Sequence, residues 1–175
     1  MMTMISETVC DDIIQKVIAR EGGVADVGDG AGETRWGQTP GWLEEFGLPS
    51  PKTPQEAARN YRTWLGRTRL DELTGIHPDL ADAVIDYAVN AGTGRAVRAL
   101  QQAVAVAQDG ALGVVTLNSV SHADPMRVTF RVLVSRLKFY LQLAKDNPVR
   151  NLQYLTGWTN RVLDQLGSLY GITID

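Results

Sequence analysis

The stretch Thr53-Pro54-Gln55-Glu56 shows how this sequence is divided into secondary structure. A threonine followed three residues later by a glutamate is the capping box that begins many helices. Proline suits the first helical position, because the N–H that it lacks would have no partner there. The stretch therefore predicts a helix that begins at Pro54.

The same kind of start signal recurs along the chain. An X-Pro pair precedes each of three further predicted helices: His77-Pro78, Asp124-Pro125 and Asn147-Pro148. Apolar periodicity predicts two more, over residues 11–20 and 96–107, the first of which ends at Gly22-Gly23. Residues 22–54 are rich in glycine and proline, and we expect only short strands there, around residues 34–39. The predicted fold is mainly α, with one irregular glycine-rich loop.

Size and composition predict a single compact domain over residues 1–175. Of the 175 residues 44% are hydrophobic and 21% charged, which is ordinary for a globular protein. Cys10 is the single cysteine, so no intrachain disulfide is expected, and nothing beside it marks a nucleophile. The two histidines, His77 and His122, are isolated in the sequence. We therefore expect no metal site and no cofactor, which argues against a zinc amidase.

The charges are divided unevenly along the chain. Residues 1–87 carry 15 acidic and 8 basic side chains, whereas residues 88–175 carry 5 and 9. A cationic half suits an anionic partner such as a bacterial envelope or a nucleic acid, although a chance imbalance of solvated charges gives the same counts. Residues 127–145 predict a basic amphipathic helix. It either contacts the anionic lipid or lipopolysaccharide of an outer membrane or, as we favour, buries its apolar stripe in the core and leaves its basic residues in solvent.

Carboxylates gather where the first predicted helix stops. Glu21 stands at the helix end before Gly22-Gly23, and Glu33 follows within the glycine-rich loop. Cleavage of a glycosidic bond needs one carboxyl group that protonates the leaving oxygen, together with a second carboxylate or a positioned water. Trp36 and Trp42 offer flat apolar faces on which sugar rings can stack. The same pattern also fits an ordinary acidic loop that ends a helix.

The order of these residues resembles a known signature. Glu21-Gly22-Gly23, then Gly32-Glu33-Thr34 and Trp36-Gly37, are similar to the N-terminal motif of glycoside hydrolase family 108, whose members are N-acetylmuramidases of phages and prophages. Later segments resemble further motifs of that family, or of the peptidoglycan-binding-type segment usually fused to it: Asn60-Tyr61-Arg62, Asp86-Tyr87-Ala88-Val89-Asn90, Leu100-Gln101-Gln102-Ala103, Asp109-Gly110, Arg136-Leu137 and Gly157-Trp158. The resemblance covers about residues 13–167.

The resemblance implies roles for individual residues. Glu21 matches the catalytic glutamate, and we expect it to be the general acid. Asp29 and Thr34 follow at offsets of 8 and 13, similar to the Glu, Asp, Thr order of phage-type lysozymes, and would position the attacking water. Glu33 is the competing second carboxylate.

Three further residues are the predicted substrate contacts: Trp36, Tyr87 and Asn90. The alternative is structural, with Asn90 capping the helix end before Gly92 and Asp86 paired with an arginine. The chain departs from the family at Val24, where an aromatic residue is common, and at Gln38, where isoleucine often follows Trp-Gly.

These observations together predict a lysozyme-like helical protein, with a muramidase-type catalytic region over residues 11–92 and a peptidoglycan-binding-type helical region over residues 93–170. We expect a monomeric endolysin that hydrolyses the β-1,4 bond between N-acetylmuramic acid and N-acetylglucosamine, with peptidoglycan glycan strands as its partner and no nucleic acid. The acidic first twelve residues are unlike a signal peptide, so we expect synthesis in the host cytoplasm and action on the wall after membrane permeabilisation. The alternatives are a lytic transglycosylase that cuts the same bond, and a non-catalytic wall-binding or secretion-accessory protein.

Overall fold

The structure is a computed structural model that describes residues 4–25 and 33–173, without the side chains of residues 5, 24 and 25. Helices dominate this part of the chain, which confirms the predicted mainly α fold class. In chain order the α-helices are α1 Met4–Glu21, α2 Pro40–Glu45, α3 Pro54–Thr68, α4 Pro78–Ala91, α5 Thr93–Ala103, α6 Val114–Ser121, α7 Pro125–Asp146 and α8 Pro148–Tyr170. A 3-10 helix spans Leu70–Gly75, and the strands β1 Val24–Ala25 and β2 Thr34–Arg35 form an antiparallel pair.

The chain forms two compact units, residues 1–75 and residues 76–175. The first holds α1, the strand pair, α2, α3 and the 3-10 helix, and the second holds α4 to α8. Within the second unit α4 packs against α5 and α7. The functional boundary that the sequence predicts, between residues 92 and 93, stays a prediction.

Helix α1 begins at Met4, earlier than the predicted start near residue 11. Glu7 supplies the acidic side chain of its first turn, where a carboxylate favours the helix dipole. One face of the helix is buried, at positions that repeat every three or four residues: Cys10, Ile13, Ile14, Val17 and Ile18. This face packs against α3 and the 3-10 helix, where the hydroxyls of Ser6 and Thr74 lie 2.7 Å apart.

Helix α3 begins where the capping box predicts. The Thr53 hydroxyl accepts a hydrogen bond from the Glu56 amide at 3.2 Å, and Pro54 occupies the first turn. The helix α2 was not predicted, although Thr39 caps it and a proline follows in the same way. Aromatic rings of the two helices form one cluster, with centroids 5.3–6.5 Å apart: Trp42, Phe46, Tyr61 and Trp64.

The second unit is built around α7 and α8. One cluster of its core consists of Ala83, Leu133, Tyr140 and Val162, with further apolar residues of α7 and α8 packed on them. Helix α5 ends at Ala103 and not at residue 107, because Ala105 has a φ of +59°, which a continuing right-handed helix excludes. Helix α6 was not predicted, since its start at Gly113 lacks a side-chain cap.

The basic helix α7 corrects one expectation. Its apolar stripe is buried in the core as favoured, but Arg136 is not on the solvent face: it is 0% exposed. Its guanidinium lies 2.7 Å from Asp86 Oδ2 and donates to Tyr140 Oη at 2.8 Å and to Gln165 Oε1 at 2.9 Å. A charge leaves water at acceptable cost only when it is paired in this way. None of the described helices has the length and apolar character of a membrane span.

Candidate active site

Glu21 is the last residue of α1, and Gly22 ends the helix with a φ of +71°. A glycine in the left-handed region just after a helix is the commonest way to stop it. The Glu21 side chain is half-buried. The predicted position of this carboxylate at a helix stop is therefore found in the structure.

A tight turn follows β2 and approaches Glu21. Trp36 and Gly37, its two central residues, have φ values of +48° and +78°. Arg35 and Gln38 on either side exchange two backbone hydrogen bonds of 3.2 and 3.0 Å. This pattern is that of a two-residue hairpin of type I′. The left-handed conformation costs a non-glycine residue such as Trp36 roughly 1–2 kcal/mol, so the surrounding contacts must hold the turn in place.

The turn lies directly against the Glu21 side chain. A Cβ atom added to Gly37 would be 2.7 Å from Glu21 Cγ and 2.7 Å from Tyr61 Oη, closer than atoms can pack. The Tyr61 hydroxyl donates a hydrogen bond of 2.7 Å to the Trp36 carbonyl, and the Trp36 amide donates to the Gly23 carbonyl at 2.9 Å. Glu21, the turn and α3 are thus fixed to one another through a position that only glycine can fill.

A buried amide pair anchors the end of the same turn. Gln38 is 1% exposed, and its Nε2 donates to the Ala57 carbonyl at 2.9 Å. Asn60 Nδ2 donates to Gln38 Oε1 and to the Pro49 carbonyl, both at 2.8 Å. Gln38 stands where the family often has isoleucine, and Asn60 supplies the partner that a buried amide requires. The sequence motifs contain both residues, but no local pattern connects them.

The other predicted residues of this unit have different surroundings. Glu33 is exposed and forms an ion pair of 3.0 Å with Arg35, while Thr34 is a half-buried residue of β2. Trp36 is half-buried. Asp29 lies outside the described residues. The structure therefore brings Glu21 and Trp36 together, and it adds three residues that the sequence did not single out for the site: Gly37, Tyr61 and Asn60.

Tyr87 and Asn90, the remaining predicted contacts, belong to α4 in the second unit. Tyr87 is 1% exposed and packs against Phe139 and Tyr140, and its burial raises the pKa of its hydroxyl to about 12. Asn90 is exposed, and its Nδ2 donates to the Asp86 carbonyl one turn earlier at 2.9 Å. Contact of these two residues with substrate stays a prediction.

In the described part of the chain, no three histidine, cysteine or acidic side chains form a group that could hold a metal ion. Cys10 is buried, and this burial raises the pKa of its thiol, so the nucleophilic thiolate is disfavoured.

Comparison with known proteins covers both units. A family model described as Glycosyl hydrolase 108 matches residues 14–92, and one described as Predicted Peptidoglycan domain matches residues 95–163. The solved structure of SagA from Brucella abortus is similar, with a TM-score of 0.75 and 25% identity over 97% of this chain and 98% of that chain. No curated protein matches the chain.

The two family matches follow one another in the order that the sequence motifs predicted, and Glu21, its turn and Tyr61 all lie within the first. Residues 14–92 thus match the glycosyl hydrolase 108 family, and this match indicates a glycoside hydrolase that acts on peptidoglycan.

Proposed function

We propose that this protein is a muramidase that hydrolyses the β-1,4 bond between N-acetylmuramic acid and N-acetylglucosamine, with Glu21 as the general acid. One observation carries the proposal: the half-buried Glu21 side chain is packed against a strained turn that Tyr61 holds. A carboxyl group fixed in this way is suited to protonating the oxygen of a sugar that leaves. Trp36, in the same turn, offers its ring to the glycan.

A second group must bring water to the anomeric carbon. We assign this role to Thr34, acting with Asp29, and keep Glu33 as the competing carboxylate. The ion pair of Glu33 with Arg35 favours this order, because the guanidinium stabilises the negative charge of the carboxylate and so weakens it as a nucleophile. The variants Thr34→Ala and Glu33→Gln distinguish these two assignments. Substitution of the residue that acts as the second catalytic group should lower kcat without raising KM.

The test of the acid is Glu21→Gln, which keeps the shape of the side chain and removes its acidic proton. We expect hydrolysis of purified peptidoglycan to fall by roughly 10³-fold, within the range of general acid catalysis. Glu45→Gln, on the exposed end of α2, is the matched control and should leave the rate unchanged. Full activity of the Glu21 variant would refute this mechanism.

The products distinguish the muramidase from its alternatives. Borohydride reduction and mass spectrometry of the fragments should give muramitol ends, each formed with one water. Anhydro ends at every cut would show a lytic transglycosylase. Binding to the wall without any cut would show a non-catalytic wall-binding or secretion-accessory protein.

We propose that the biological role is that of an endolysin, made as a monomer in the host cytoplasm and active on the wall after the membrane is permeabilised. Cytoplasmic expression in a bacterium should leave the culture turbid until chloroform opens the membrane, and lysis should follow within minutes. Lysis without chloroform would contradict the proposed route. Sedimentation of the purified chain tests the monomer.

A further inference from the structure

The second unit contains a groove between α5 and α7. Three adjoining cavities of about 300, 260 and 350 Å³ follow one another along the two helices. The first shares Gln102 and Ser135 with the second, and it shares Ala103 and Arg131 with the third. We call this continuous depression the α5–α7 groove.

The groove is lined by cations. Two of them are on α5 and three on α7: Arg95, Arg98, Arg127, Arg131 and Lys138. The three on α7 are separated by four and seven residues, which places them on one helix face over roughly 16 Å. Between them lie Ser135 and Gln102, which can hydrogen-bond to amides.

Among the described residues these charges form no ion pair, although the pKa of the Asp109 carboxyl is lowered by its hydrogen bonds and also by nearby Arg98. Of the ion pairs found within residues 4–25 and 33–173, none involves any of the five cations. Arg131 donates to the Ala103 carbonyl, and Arg95 lies over the Phe139 ring, so both have neutral partners. The two carboxylates nearby are already engaged, Asp124 by backbone amides at the start of α7 and Asp109 by Gln101 and the Ala111 amide. An uncompensated row of cations attracts an anionic ligand.

We propose that the α5–α7 groove binds the peptide stem of peptidoglycan through its carboxylates, an inference that rests on peptidoglycan being the substrate. The alternating N-acetyl sugars of the glycan are neutral, and the stem carries the negative charge. Four extended residues span about 13–14 Å, which fits the row of cations on α7. The matched peptidoglycan domain, residues 95–163, contains both walls of the groove. Arginine and lysine hold the carboxylates, and Ser135 and Gln102 bond to the stem amides.

The test uses the full chain carrying Glu21→Gln, so that binding is measured without cleavage. The probe is a synthetic stem tetrapeptide with free carboxylates, and its fully amidated form is the comparison. We expect Lys138→Gln or Arg127→Gln to raise the Kd for the free acid roughly two- to fivefold, and the double variant roughly tenfold. Amidation of the peptide should weaken binding at least as much as the double variant, and added salt should weaken only the free acid.

Arg150→Gln, an exposed arginine of α8 outside the groove, is the matched control and should leave the Kd unchanged. Equal binding of the free and amidated peptides, or no binding of either, overturns the proposal. The proposal is also overturned if the groove substitutions weaken the binding of duplex DNA or of anionic vesicles and leave peptide binding unchanged. The groove would then bind a different polyanion. Unchanged melting temperatures show that the variants are folded.

Glycan chains stripped of their stems, with the freed lactyl carboxylates amidated so that the chains stay neutral, separate this proposal from the proposed function. The wild-type chain should cut them at a rate that Lys138→Gln does not alter, while the same variant raises KM on intact peptidoglycan. If cleavage depends on Glu21 but the stem peptide does not bind, the groove proposal is wrong and the proposed muramidase activity stands. If the stem peptide binds but no glycan is cleaved, the proposed muramidase activity is wrong and the groove proposal stands.

Discussion

Two carboxylates of the region matched to glycosyl hydrolase 108 have opposite surroundings. Glu21, in the first unit, is half-buried and packs against the turn at Gly37. Asp86, in the second unit, is 0% exposed and lies 2.7 Å from Arg136 and 3.7 Å from Arg161. A match to a family motif therefore does not by itself assign a role to an acidic residue. Burial beside cations makes Asp86 a structural charge, whereas partial access beside a fixed turn suits Glu21 for chemistry.

The largest effect that sharpens this comparison is on stability. Asp86→Ala leaves Arg136 buried without its carboxylate, and we expect the second unit to lose about 3–5 kcal/mol of unfolding free energy. Urea denaturation followed by circular dichroism measures the loss. Asp164→Ala, on the exposed face of α8, should change it by less than about 0.5 kcal/mol. Asp86→Leu combined with Arg136→Met should recover much of the loss, and failure to recover would show that packing, and not the charge pair, matters.

The second effect is on activity in the first unit. Gly37→Ala places a Cβ 2.7 Å from both Glu21 Cγ and Tyr61 Oη at a positive φ. We expect hydrolysis to fall roughly 100-fold, because displacement of a catalytic group by about an ångström has that cost. Gly41→Ala is the control, since nothing lies within 4 Å of its added atom and its φ is not positive. Similar rates for both variants would contradict the role of the turn.

The third effect is a loss of stability at alkaline pH. Burial raises the pKa of Tyr87 to about 12, whereas its unfolded value is close to 10. The stability that this residue contributes is therefore complete below pH 10 and lost as the pH rises toward 12, by at most about 2–3 kcal/mol. Tyr87→Phe should flatten the decline of stability between these pH values, as followed by urea denaturation. An unchanged slope would mean that Tyr87 ionises freely in the folded protein.

The smallest effect concerns the hydroxyl that holds the turn. Tyr61→Phe removes the hydrogen bond to the Trp36 carbonyl, and we expect a loss of about 1 kcal/mol and up to tenfold in kcat, with KM little changed. Tyr154→Phe, an exposed residue of α8, is the control and should match the wild type. A rise in KM alone would place Tyr61 in substrate binding and not in positioning Glu21.

The fold was predictable where its signals are local. The caps at Thr53, Asp124 and Asn147 bond to the amides that follow them, so their helices begin at the predicted residues. Thr39 carries the same signal, but the glycine-rich surroundings led to a prediction of strands. The buried position of Arg136 was not predictable, because its partner Asp86 is fifty residues away in the sequence.

The site was predictable in part for the same reason. Glu21 could be identified from a helix stop and a motif resemblance. Its contacts with Gly37 and the anchoring by Tyr61 depend on α1, the turn and α3 coming together, which no local pattern states. The pairing of Gln38 with Asn60 likewise joins residues 22 positions apart.

The single thiol of this chain can be used to measure how often the packing of α1 in the first unit opens. Cys10 is 1% exposed on the face of α1 that packs against α3, and α1 ends at the proposed acid. A thiol reagent can reach it only when that packing opens, so the labelling rate divided by that of a free cysteine gives the equilibrium constant of opening, and its logarithm gives the free energy. The same measurement, repeated with a glycan fragment present, gives the change in this opening free energy when substrate binds, for the helix that carries Glu21.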